Sequence, residues 1–185
     1  QVAVLSTAAA VVTLVVVGDI RLDSHVGAIA RAEGESAPVA LVRERLQGDF
    51  LLGNLEMPLT RRGTPAAKKF TFRAPPERAS VLKACGFSAL GLANDHVMDF
   101  GPEGLEDTLA ALDEAGLPHL GAGKDVAQAR KPFYFERNGL KVGLLALTST
   151  FPEENWAGKM KPGTAFSDLA RVEGWVREAK KACDV

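Results

Sequence analysis

The chain has 185 residues, 46% of them hydrophobic and 24% charged, with a formal net charge of −1. That length and balance fit one globular domain with a full core. The near-zero charge argues against a nucleic-acid backbone or an anionic membrane as the main partner, and two distant cysteines, Cys85 and Cys183, make neither a disulfide framework nor a zinc pattern.

Residues 2–17 are almost wholly apolar, interrupted by Ser6, Thr7 and Thr13. The run is short for a membrane span, and no basic segment precedes it. Residues 1–10 read as the remnant of a signal sequence or membrane anchor, with an artificial extension or an extra strand as alternatives. Residues 11–17 are β-branched and lead into Gly18-Asp19, which predicts a buried first strand. Val39, Leu41, Val42 and Leu46 mark a short amphipathic helix, and residues 49–55 a second strand. Residues 56–76 form a long loop, of the kind that usually carries function. Its basic cluster, Arg61-Arg62 and Lys68-Lys69, suits a solvated surface or an anion site.

Pro75-Pro76-Glu77 opens a helix that Gly86 stops. Residues 87–93 read as the third strand. The next helix starts at Gly101-Pro102-Glu103 and carries a core stripe of Leu105, Leu109 and Leu112. Residues 117–120 are a short strand, and residues 125–130 one or two helical turns. Residues 132–136 and 140–147 flank Arg137-Asn138-Gly139 and predict a hairpin that makes the sheet mixed. Ser167-Asp168 starts a last helix with Leu169, Val172 and Val176 on one face. Cys183-Asp184-Val185 reads as the approach to a further strand, so a longer domain is expected. The alternation of strand and helix predicts an α/β fold with a mixed, mainly parallel sheet and flanking helices.

Three strand tips carry the polar chemistry: Gly18-Asp19, Asn54-Leu55-Glu56 and Asn94-Asp95-His96. Ligands of open α/β sheets bind outside the carboxyl ends of the strands. Asp19, Glu56 and Asp95 offer carboxylates, Asn54 and Asn94 amide oxygens, and His96 an imidazole able to ligate a metal or act as a general acid. Such a set suits divalent-metal phosphoester chemistry, with manganese, zinc, iron and magnesium all open as the ion. Asp19 also suits a helix cap. Asp23-Ser24-His25 is a rival ligand pair or a surface turn. His119 reads as structural, Trp175 as packing, and Trp156 as packing or lining a pocket. No Gly-x-Gly-x-x-Gly or Walker-type loop follows the first strand, and Gly121-Ala122-Gly123-Lys124 lacks the rest of a phosphate loop.

Taken in order, Gly18-Asp19-Ile20, Asn54-Leu55-Glu56-Met57-Pro58-Leu59-Thr60, Lys69-Phe70-Thr71-Phe72-Arg73-Ala74-Pro75, Leu92-Ala93-Asn94-Asp95-His96, Asp99-Phe100-Gly101 and Gly121-Ala122-Gly123 give a chain that resembles the CapA-type poly-γ-glutamate capsule synthesis family. That family is a branch of the calcineurin-like metallophosphoesterase superfamily. The resemblance implies a four-layer α/β/β/α sandwich, of which residues 11–185 would be the N-terminal portion with the C-terminal portion absent. It implies metal-binding acids at Asp19 and Glu56, a ligand position at Asp95, a catalytic histidine at His96, and an anion-facing Arg73. Two departures stand out. Asp95 replaces the family's second asparagine, adding a negative charge. The family's later histidine motifs, which complete the metal shell, are not among these residues.

Two functions follow as expectations. One is a metal-dependent hydrolase or transferase acting on a phosphoester or an amide-linked envelope polymer. The other is a non-catalytic envelope component that binds and helps assemble or export an anionic polymer, with Arg73, Lys68 and Lys69 holding its carboxylates. Either implies the cell envelope, outside the cytoplasm and with a membrane anchor, membrane-bound capsule synthesis proteins as partners, and no nucleic acid.

Overall fold

The computed structural model describes residues 1–7, 10–34 and 37–185. Its centre is a five-stranded sheet in the order β1-β2-β3-β4-β5, made of β1 (Val2–Thr7), β2 (Ala10–Ile20), β3 (Phe50–Leu55), β4 (Ala89–Gly91) and β5 (His119–Leu120). β1 runs antiparallel to β2, while β2 to β5 are all parallel. Residues 2–7 thus form the extra strand, and residues 8–9 lie outside the described residues. The crossovers are α1 (Ser24–Glu33) and α2 (Ala37–Arg43), then α3 (Arg78–Ala84), then α4 (Gly101–Glu114). Successive parallel strands lie side by side, so right-handed crossovers put every one of these helices on one face.

Alternation along the strands separates two cores. Val15, Leu51, Leu55, Leu90 and Leu92 face the helices and pack with Leu82, Leu105 and Leu112. Leu14, Phe50 and Ala89 face the other way, onto Phe133, Phe135 and Leu144. These last residues belong to the hairpin of β7 (Phe133–Arg137) and β8 (Leu140–Leu144), reached through β6 (Ala122–Gly123) and α5 (Val126–Ala129). Asn138 and Gly139 both have positive φ, 51° and 75°, as the two-residue turn requires.

The hairpin does not make the main sheet mixed, as the sequence suggests. It is a separate two-stranded sheet stacked across the second face, with Phe135 lying 3.9 Å from Phe50 between ring centroids. The antiparallel member of the main sheet is β1. Two further differences concern helices. α1 is absent from the sequence reading because its apolar positions are few and Gly27 interrupts them. α6 (Leu169–Lys180), which follows β9 (Gly163–Thr164), paired antiparallel with β6, leaves Leu169 83% and Val176 50% exposed. In α2, the side chain of Leu41 lies outside the described residues. Among the described residues no helix is long and apolar enough to cross a membrane.

Candidate metal centre at the strand tips

β2, β3 and β4 end side by side, and their tips build the site. Val16 pairs with Leu52 but Asp19 with Asn54, so β2 has one residue more than β3 over this stretch. This bulge turns Asp19 to the face of Asn54, whose Nδ2 donates to Asp19 Oδ1 at 2.8 Å. Glu56 lies two residues beyond Asn54, and the same Nδ2 donates to Glu56 Oε2 at 3.0 Å. One amide thus bridges two carboxylates.

Asn94 ties this strand end to the next. Its Nδ2 donates to Asn54 Oδ1 and to the Leu55 carbonyl, both at 2.9 Å. Its Oδ1 accepts from the backbone N–H groups of His96 and Val97, at 3.0 and 2.8 Å. The amide oxygens of Asn54 and Asn94 therefore both accept hydrogen bonds within the protein. Asn94 is buried, and it holds the turn that presents Asp95 and His96.

Glu56, Asp95 and His96 converge. Each offers one ligand atom, and the three atoms lie within 4.8 Å of one another. His96 Nε2 is 3.4 Å from Asp95 Oδ2 and 4.0 Å from Glu56 Oε1. Its other nitrogen, Nδ1, is 2.8 Å from Asp99 Oδ2. A carboxylate on the far nitrogen of a ligating histidine fixes ring orientation and raises its basicity. Two carboxylates and an imidazole suit divalent manganese, zinc, iron or magnesium by donor type. The electrostatics agree: burial, and next the hydrogen bond with Asp19, push the Glu56 carboxyl up to about 7. Hydrogen bonds, first from Asn54 and then with Glu56, hold Asp19 below the ordinary carboxylate range. A cation here would relieve that crowding of negative charge.

Four residues that the sequence does not mark as part of a metal site complete the wall. Asp99, fully buried, also accepts from the Phe72 backbone N–H at 2.7 Å. The Phe72 ring stacks on His96 at 4.1 Å between centroids. Arg21 covers the same ring, its guanidinium carbon 3.3 Å from the centroid, and its positive charge draws the Glu56 value down. Lys68 Nζ is 2.5 Å from Asp99 Oδ1. The sequence signal for Asp99 was its place three residues after His96, one turn further along the same corner. Lys68 and Phe72, read from the sequence only as a polymer-binding cation and as part of the family segment, reach the tips because residues 61–73 fold over them, whereas Arg21 directly follows β2.

Arg73 and Lys69 sit outside this cluster. Arg73 lies over the Phe100 ring at 4.5 Å and Lys69 over Phe70 at 5.1 Å, and both are exposed. Arg61 and Arg62 are paired with Glu77 and with Glu106 and Asp107. Asp23 pairs with Arg21 and His25 is exposed, so that rival pair does not enter the site. His119 bonds Asp113 at 3.1 Å, Trp156 stacks on Phe166 at 3.7 Å, and Trp175 packs under Arg130 at 4.3 Å.

Fold and site together define a mixed α/β protein with an acid and imidazole cluster at the carboxyl ends of adjacent parallel strands. The chain belongs to the family described as bacterial capsule synthesis protein PGA_cap, which matches residues 13–185. It is 32% identical to the capsule biosynthesis protein CapA of Bacillus anthracis over 157 residues, 82% of this chain and 38% of that protein. It is 30% identical to the PGA biosynthesis protein CapA of Bacillus subtilis over 173 residues, 91% of this chain and 46% of that protein. A probable polyglutamine synthesis accessory protein of Mycobacterium tuberculosis is 38% identical over 128 residues, 66% of this chain and 33% of that protein. The chain thus spans less than half the length of these relatives.

Proposed function

We propose that this chain contributes to making an anionic capsule polymer of the polyglutamate kind, at the cell envelope and alongside membrane-bound capsule synthesis proteins, through a divalent-metal site built on Glu56, Asp95 and His96 with Asp19 beside them. The single observation that carries this reading is the convergence of those three ligand atoms within 4.8 Å. A divalent cation bound there supplies Lewis-acid polarisation of a carbonyl or phosphoryl oxygen and a nucleophile derived from water near neutral pH. The residues do the rest. Glu56 and Asp95 hold the cation. Asp99 holds His96 by Nδ1, leaving Nε2 to ligate or, on protonation, to give a proton to a leaving oxygen or nitrogen. Asn94 fixes the turn on which both depend. Phe72 covers one side of the imidazole, and Arg21 stacks on Phe72.

The test is calorimetric titration with Mn²⁺ and Zn²⁺, with turnover of an aryl phosphate and of poly-γ-glutamate measured beside it. Binding lost in Glu56→Gln and His96→Ala, with turnover only in the metal-loaded protein, is the expected result. Absence of binding by the native protein sinks the metal reading.

A second reading is favoured by one observation: Arg73 and Lys69 are exposed cations lying over aromatic rings on the loop beside the site. In it the chain binds the polymer's carboxylates by charge-assisted hydrogen bonds without reacting. Polymer binding that is metal-independent, weakens with salt and drops in Arg73→Ala and Lys69→Ala is its signature.

A further inference from the structure

Two groups claim the same nitrogen of His96. Asp99 Oδ2 is 2.8 Å from Nδ1, and Lys68 Nζ is 3.2 Å from it. An ionised carboxylate only accepts and an ammonium only donates. A neutral imidazole therefore serves one of them: with a proton on Nδ1 it bonds Asp99, and with a lone pair on Nδ1 it bonds Lys68. The choice fixes what Nε2 presents to Glu56 and Asp95, a lone pair in the first case and an N–H in the second.

The geometry decides between them. Lys68 has two shorter contacts, to Asp99 Oδ1 at 2.5 Å and to the Asp95 carbonyl at 2.7 Å. Asp99 is fully buried, where a carboxylate needs a cation or donors, and the Phe72 N–H takes its other oxygen at 2.7 Å. Lys68 and Phe72 thus grip Asp99 from both sides, with Oδ2 turned to the imidazole.

We propose that Lys68 is the positioning residue for His96: its ammonium pins Asp99, Asp99 takes the Nδ1 proton, and the Nε2 lone pair is left facing Glu56 and Asp95. Lys68 Nζ also lies 2.7 Å from the Asp95 carbonyl and 3.9 Å from Asp95 Oδ2, but it does not reach Nε2, the nitrogen that faces Glu56 and Asp95. It acts through Asp99, from a loop that must lie across the strand tips for the contact to form. Gly63 secures that loop near its start. Its φ is +82°, and a Cβ there would run into the Phe100 carbonyl oxygen. The purpose of this arrangement rests on the metal reading above, but its geometry does not.

The experiment is therefore done first on metal-free protein. Long-range proton–nitrogen NMR of the imidazoles, followed upward in pH until the His96 signals stop shifting, reports which nitrogen of the neutral ring carries the proton. Only three histidines need assignment. The native chain should show the Nδ1-protonated form, and in Lys68→Met, where Asp99 is no longer pinned beside Nδ1, that preference should relax to a mixture of the two forms, with Lys68→Arg between them. Mn²⁺ affinity should then fall about 10-fold or more in Lys68→Met, as for other groups that orient a ligand. A His96 spectrum unchanged by Lys68→Met overturns the proposal. Should Lys68→Met fail to fold, Lys68→Arg gives the same reading by its own change or lack of one. A native protein that binds no Mn²⁺ yet changes spectrum with Lys68→Met retains the positioning role and removes the metal function.

Discussion

The corner from Asn94 to Asp99 and the helix α6 are opposites. In the first, Asn94 and Asp99 are buried, Asp95 and His96 are half-buried, and nearly every polar atom has a partner inside the protein. Asn94 alone makes four hydrogen bonds. In the second, apolar side chains face outward, and among α6 residues only Ala179 is buried. Hydrophobic period reports which side of an element is apolar. It does not report whether anything covers that side, nor which polar groups the fold draws inward. Where polar groups are buried and fully paired, single changes are expensive, because the groups left behind lose water as well as partners.

The largest effect is expected at Asp99. Asp99→Ala takes the carboxylate from the Lys68 ammonium, leaves the Phe72 N–H without its acceptor and releases Nδ1 of His96. Losing the charge-assisted hydrogen bonds of a buried carboxylate and leaving the Phe72 N–H unpaired together cost about 3–5 kcal/mol, and urea unfolding of the variant should show a loss in that range. Asn94→Ala comes next. It leaves two backbone N–H groups and two acceptors without their partner in a buried turn. About 2–3 kcal/mol is expected, again by urea unfolding. A loss under about 0.5 kcal/mol in both variants would erase the contrast with α6, since that is the ordinary range for surface changes.

The readable part of the molecule was local. β3 and its Asn54 and Glu56, the Asn-Gly hairpin, and the α4 stripe of Leu105 and Leu112 all follow from short-range pattern. The three tips could be placed together because parallel strands end on one side. Three things depended on long-range packing. The bulge at Val17 and Gly18, which turns Asp19 toward Asn54, has no composition of its own. The basic cluster divided in a way charge cannot indicate: Arg61 and Arg62 pair with helix residues, Lys68 enters the site wall, and Lys69 stays outside. The hairpin's place across the second face rather than at the sheet edge was set by Phe50 and Phe135 meeting through space.

A pH titration sharpens the polar side of the contrast. The Glu56 carboxyl rises from an ordinary 4.5 to about 7 in the fold. The folded state then binds more protons than the unfolded state between those values, so stability falls as pH rises. This group's contribution is complete below about 4.5 and gone above about 7. Asp19 has the opposite sign: it is held below its ordinary 3.8, so its contribution is present above that value and lost on acidification. Metal-free protein should lose unfolding free energy from pH 4.5 to 7, by at most about 1.4 kcal/mol per pH unit, seen as a falling melting temperature, and Glu56→Gln should flatten that slope. Added Mn²⁺ should restore stability most above pH 7, where no proton need be displaced from Glu56.

The smallest effect is expected on α6. Leu169 is 83% exposed, so truncating it removes little buried surface and opens no cavity. Leu169→Ala should change unfolding free energy by less than about 0.5 kcal/mol. Leu90→Ala, at a fully buried position of β4, should cost about 2–5 kcal/mol. The pair uses the same substitution and the same atoms removed, so the ratio of the two values measures cover rather than chemistry. A Leu169→Ala loss approaching that of Leu90→Ala would mean that the apolar side of α6 is covered in solution, and the contrast between the two regions would then be one of partner, not of polarity.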